Sequence, residues 1–127
     1  MKKDKVSINI ISSFNHANFI GMLRNNNDFK WQINDSNYNQ IFQTLSDKRL
    51  NVWKKKSDIS LIWSTPESIS PEFKKLLNYE KVNKNLIKKD IDFFFSCLNS
   101  SLTSFSVSSR SFILMPLVLF QVCVFHL

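Results

Sequence analysis

Apolar residues along the first hundred positions fall into short runs whose spacing switches between two periods. Val6-Ser-Ile-Asn-Ile-Ile11 is a β-branched run suited to a strand buried on at least one face. Ser12-Ser13-Phe14-Asn15-His16 closes it as a polar loop, after which Phe19, Ile20, Met22 and Leu23 fit a short helix over residues 17–24. Asn25-Asn-Asn-Asp28 signals a turn, and Phe29-Lys-Trp-Gln-Ile33 alternates with the period of a half-buried strand. Asp35-Ser36 reads as the cap of a helix carrying Tyr38, Ile41, Phe42 and Leu45. Asp58-Ile-Ser-Leu-Ile-Trp63 is a third strand, stopped by Thr65-Pro66-Glu67. Ser70-Pro71-Glu72 has the layout of a cap, a first-turn proline and a dipole-favouring acid, opening a helix with Phe73, Leu76 and Leu77. Val82, Leu86, Ile87, Ile91, Phe94, Phe95 and Leu98 define the longest amphipathic helix. The order β-α-β-α-β-α-α predicts an α/β fold, three-layer with a mostly parallel sheet.

The pattern breaks near Asn99. In the 28 residues from Ser100 to Leu127, Arg110 is the only Asp, Glu, Lys or Arg, and no Lys or Asn occurs. The segment passes from a Ser-rich stretch, expected as a linker or poorly ordered loop, into an apolar run that opens at Phe112 and closes at Leu127. The chain therefore divides into residues 1–99, an α/β unit, and residues 100–127, a tail of different chemistry.

The 127 residues suffice for one domain burying roughly two-thirds of its unfolded surface. With Gly21 as the sole glycine, there is no loop for a phosphate cradle and no dinucleotide fingerprint, so no cofactor is implied. The net charge of +7 comes from lysines confined to the part before Phe93, in groups such as Lys54-Lys55-Lys56. Solvated faces account for them, and no basic-aromatic recognition helix points to specific nucleic acid. Cys97 and Cys123 lie in apolar surroundings with no zinc or redox spacing, so no metal site is expected and a cytoplasmic location fits. Met1-Lys-Lys-Asp-Lys-Val lacks the apolar core of a secretory signal.

Three segments, Ile8-Asn-Ile-Ile-Ser-Ser-Phe-Asn15, Tyr38-Asn-Gln-Ile-Phe-Gln-Thr-Leu45 and Asp58-Ile-Ser-Leu-Ile-Trp-Ser-Thr-Pro-Glu67, resemble the N-terminal, SGNH-hydrolase-like domain of FkbH-type proteins. The resemblance covers about residues 5–98. It implies an SGNH or flavodoxin-like α/β domain, here incomplete, of a kind usually joined to a HAD-type phosphatase domain and associated with moving glyceryl-type units onto carrier proteins. A HAD domain or a carrier protein is then the expected partner. The ligand crevice of such a sheet lies at the carboxyl ends of its strands. That placement makes Ser13 the positional match for a nucleophile and His16 its nearest base, with Ser12, Asn15, Thr65 and Glu67 as ligand-binding candidates.

The chain departs from the family pattern where the chemistry sits. Ile11-Ser12-Ser13 stands in place of the Gly-Asp-Ser block. Of the late Asp-x-x-His pair only His126 is present, with Cys123 three positions before it, and a thiol does not orient an imidazole as a carboxylate does. The HAD nucleophile motif is missing as well. For each candidate the plainer account is structural: a loop serine satisfying backbone groups, a histidine at a helix start, tryptophans in the core. Three accounts of the tail stand open. It is a membrane anchor, although its apolar run is sixteen residues where about 20 are needed to span. It is the next strand of the sheet, from Ser111 to Pro116. Or it is non-native sequence following a shift of reading frame. The expected role is binding or scaffolding without a complete triad. The alternatives are a small membrane-associated protein held by its tail and a weak SGNH-type esterase using Ser13.

Overall fold

The structure, a computed structural model, describes the backbone of residues 4–105 and 109–116 and the side chains of residues 4–101. Along the chain run β1 (Lys5–Ser12), α1 (Ala17–Asn25), β2 (Lys30–Asp35), α2 (Ile41–Ser46), α3 (Asn51–Lys54), β3 (Ser57–Ser64), α4 (Pro66–Ile69), α5 (Pro71–Leu77), α6 (Lys84–Phe105) and β4 (Ser109–Pro116). The strands form one sheet in the order β2-β1-β3-β4, and every pairing is parallel. This is an α/β fold with a wholly parallel sheet.

Period-2 alternation decides which side chain feeds which layer. Ile8 and Ile10 of β1 and Leu61 of β3 point to one face, where Ile20 of α1 covers them with Phe19, Leu23, Trp31 and Ile33. Ile11 and Ile62, each one residue out of step with those, point to the other face. There they pack with Ile41, Leu45, Val52, Trp53, Ile69, Phe94 and Leu98. Helices thus lie on both faces, giving the three layers that a parallel sheet requires. The two central strands are buried on both sides, which is why β1 reads as a nearly continuous apolar run. β2 at the edge is only half-buried.

Several boundaries differ from the sequence expectation. The helix expected from Asp35-Ser36 begins only at Ile41. Asp35 remains in β2 because Ser36 donates its N–H to Ile10 O at 2.9 Å, extending the pairing. Asn39 adopts φ 55, a left-handed conformation that excludes it from a helix. Ser70 precedes α5 but does not cap it; its hydroxyl donates instead to Asp90 Oδ2 at 2.6 Å, tying α5 to α6. Glu72, the dipole-favouring acid, does lie in the first turn of α5; it is buried, and its carboxylate accepts from Asn83 N at 2.8 Å and from Lys75 Nζ. α3 is a single turn, too short to leave a period in the sequence, and it buries Val52 and Trp53.

The Ser-rich stretch is helical as far as Phe105 instead of a linker or loop. Serine does not forbid a helix, and two residues either side of the chemical break hold this one down. Leu98 is buried, and Ser101 is buried with its hydroxyl donating to Leu45 O at 2.8 Å. The segment from Ser109 to Pro116 pairs with β3 over Ser57–Ser64. The remainder of the apolar run, residues 117–127, lies outside the described residues, as do Cys123 and His126. No helix among the described residues is long and apolar enough to cross a membrane.

Candidate functional site

The chain leaves β1 on one side to form β2, then returns over β1 to form β3. The winding reverses between β1 and β3, the place where parallel sheets commonly open a crevice between the loops leaving their strand ends. In this chain the loops that leave β1, β2 and β3 begin at Ser13, Ser36 and Thr65.

The β1 loop is fixed by its own hydroxyls. Ser12 is fully buried; its Oγ donates to Phe14 O at 2.9 Å and accepts from Phe14 N at 3.1 Å, closing a tight turn. Ser13 is also buried, and its backbone N–H reaches Trp63 O at 3.1 Å. Its Oγ accepts the Thr65 N–H at 3.0 Å, which bridges the β1 and β3 loops. Asn15 is exposed and uses Oδ1 to accept the N–H of Ala17 at 3.0 Å, satisfying one of the free donors at the start of α1. Thr65 precedes α4, and its carbonyl takes the Ser68 hydroxyl at 2.6 Å. Glu67 lies exposed in the first turn of α4.

His16 is 7% exposed. Its Nδ1 lies 3.3 Å from Phe14 O, and since a carbonyl oxygen only accepts, Nδ1 carries the hydrogen. Its Nε2 lies 3.7 Å from Asp35 Oδ2 at the end of β2, whose side chain is 55% exposed. No hydrogen bond joins Ser13 to His16 among the described residues; the serine serves the β3 loop and the imidazole faces β2. The predicted residues therefore divide into two groups. Ser12, Ser13 and Thr65 knit the β1–β3 rim together, whereas Asn15 and His16 line a cleft of about 570 Å³ between the β1 and β2 loops.

That cleft is walled by residues 14–17, Ile20 and residues 35–38. Phe14 is held edge-on against Trp63 with ring centroids 4.7 Å apart, so one wall is rigid. Tyr38, which also lines the cleft, is 65% exposed. Asp35 and Tyr38 escape the sequence reading as site residues because the spacing puts Asp35 at a helix cap and Tyr38 in the helix. The available signal is an acid ending the second strand about 20 residues after the first strand's turn, the position at which dinucleotide-binding folds present an acid to ribose hydroxyls.

A second hollow of about 510 Å³ lies at the start of α6 among Lys75, Lys81 and Lys84. Its one buried acid, Glu72, is held below the usual carboxylate range, first by the Asn83 N–H and then by Lys75. These charges serve the α5–α6 junction. Among the described residues no three His, Cys, Asp or Glu side chains gather to hold a metal ion.

No family profile matches the chain, and no curated protein matches it. Among solved structures it is similar to the N-terminal part of the protein BF1531 from Bacteroides fragilis, containing a phosphatase domain complexed with Mg. The identity is 15%, the TM-score 0.58, and the match takes in 87% of this chain. The likeness is one of fold. The chain spans 28% of that solved chain's length.

Proposed function

We propose that the chain acts as a binding or scaffolding module of a FkbH-type protein, an SGNH-like domain without a working triad that holds a small molecule at the β1–β2 cleft. Its partners in this reading are a HAD-type phosphatase domain or a carrier protein. The observation that carries the reading is the separation of Ser13 from His16. A serine nucleophile needs a base within hydrogen-bond reach, and here the Ser13 oxygen accepts the Thr65 N–H while His16 holds Phe14 O through Nδ1 and turns Nε2 toward Asp35. The likeness in fold to part of a protein that contains a phosphatase domain supports the family context. Asp90-Ile-Asp92, the only Asp-x-Asp in the sequence, lies within helix α6, where Asp90 accepts the Ser70 hydroxyl.

The test is hydrolysis of p-nitrophenyl butyrate by the whole chain and by Ser13→Ala, alongside a fragment screen read by amide NMR. The expected outcome is turnover no faster than buffer in both proteins, with fragments shifting residues 14–17 and 35–38. Turnover by the parent that Ser13→Ala abolishes would overturn the reading in favour of an esterase.

A further inference from the structure

We infer that the ligand of the β1–β2 cleft carries a vicinal diol, of the kind found on ribose or a pyranose, and that Asp35 and His16 hold its two hydroxyls. The inference rests on the binding role proposed above and names the ligand class for that site.

The two groups present paired polar atoms. With Nδ1 turned to Phe14 O, the imidazole leaves Nε2 toward Asp35 Oδ2, 3.7 Å away. That gap exceeds a direct hydrogen bond. Adjacent hydroxyls can engage both atoms at once, one O–H donating to the carboxylate and its neighbour meeting the ring nitrogen, since a hydroxyl both donates and accepts. Burial fixes the imidazole, and the Ser36 N–H on Ile10 O, at 2.9 Å, fixes the strand end that carries Asp35. The pair is therefore preorganised, although its carboxylate remains open to solvent.

The rest of the cleft fits the same ligand. Phe14 and Tyr38 both line the cleft and supply aromatic surface there, and rings pack against the apolar face of a sugar or stack on a base. The position of Asp35 matches that of the acid that binds ribose hydroxyls at the end of the second strand in dinucleotide-binding folds. The glycine loop those folds use for pyrophosphate is missing here, since Gly21 lies within α1 and not in the β1 loop. The ligand is accordingly read through its hydroxyls and not through a phosphate.

The experiment titrates adenosine, 2′-deoxyadenosine and methyl α-D-mannopyranoside into the whole chain, followed by amide NMR, and repeats this with Asp35→Asn. Adenosine, the mannoside or both should shift residues 14–17 and 35–38, and the one that binds identifies ribose or pyranose as the source of the diol. Asp35→Asn should weaken that binding tenfold or more, as expected for loss of a charged hydrogen bond, while the spectrum elsewhere stays that of the parent. If adenosine binds, its 2′-deoxy analogue should be weaker by a similar factor. Equal binding of the deoxy analogue, or affinity unchanged in Asp35→Asn, overturns the inference. If neither diol binds but another fragment shifts the same residues, the diol is refuted and the binding module stands. If no compound shifts them, both fall.

Discussion

Replacing Ser101 by Ala tests whether the fold runs continuously through the chemical break near Asn99. Ser101 is 1% exposed and donates its hydroxyl to Leu45 O at 2.8 Å and to Cys97 O at 3.0 Å. Leu45 lies in the last turn of α2, where carbonyls lack intrahelical donors. Alanine would leave that carbonyl buried without the hydroxyl, at a cost of about 1–3 kcal/mol. Against this, alanine is the better helix former by roughly 0.5 kcal/mol. The net expectation is a loss of about 0.5–2.5 kcal/mol. Urea unfolding at pH 7, followed by fluorescence, measures it directly: buried Trp53 donates Nε1 to Thr44 O at 2.7 Å and reports on the same contact region. The control is Ser96→Ala on the exposed side of α6, which makes the same propensity change without burial. If Ser101→Ala proves as stable as Ser96→Ala, α6 does not dock on α2 beyond Asn99, and the continuous three-layer fold is refuted in that region.

One further prediction probes the same helix and another the junction of α5 with α6. Phe94→Ala should cost about 3–5 kcal/mol, the usual penalty for emptying a buried phenylalanine site, whereas Phe93→Ala, at a residue 59% exposed, should cost under about 1 kcal/mol; equal losses in a denaturant series would show that the helix faces are misassigned. Glu72 is held below the usual carboxylate range by the Asn83 N–H and then by Lys75, so its contribution is present above the ordinary glutamate value of about 4.3 and is lost as pH falls through the lower folded value. The stability gap between the parent and Glu72→Gln should therefore narrow on acidification, and a gap independent of pH between about 6 and 3 would contradict the assignment.

Local patterning made the layers legible, because burial imposes it. β1 and β3 are central strands covered on both faces, so Ile8, Ile10, Ile11, Leu61 and Ile62 all had to be apolar. The half-buried edge position of β2 left the Phe29–Ile33 alternation. The helix assigned from Asp35 failed for an equally local reason with a non-local cause. Tyr38 matches the helical spacing of Ile41 and Leu45, yet Asn39 turns left-handed and Tyr38 stands at the rim of the cleft. A period reports which residues share a face only after the ends of the element are known. The ends here were decided by strand pairing across the sheet.

The candidate site was legible in location but not in partnership, and the cause is sheet order. Ser13 and His16 are three residues apart, so the sequence alone suggests them as partners. Parallel pairing sets Ile10 opposite Asp35, which delivers a carboxylate to His16 from a different strand end. The same topology sets Ser12 opposite Trp63 and gives the Ser13 hydroxyl to the β3 loop. One pairing on each side of β1 thus pulls the two expected partners apart, the serine toward β3 and the histidine toward β2. Periodicity contains no information about which strand is the neighbour. A site assembled across a parallel sheet is consequently visible in sequence as a rim of polar residues, and the chemistry of that rim follows only from the strand order.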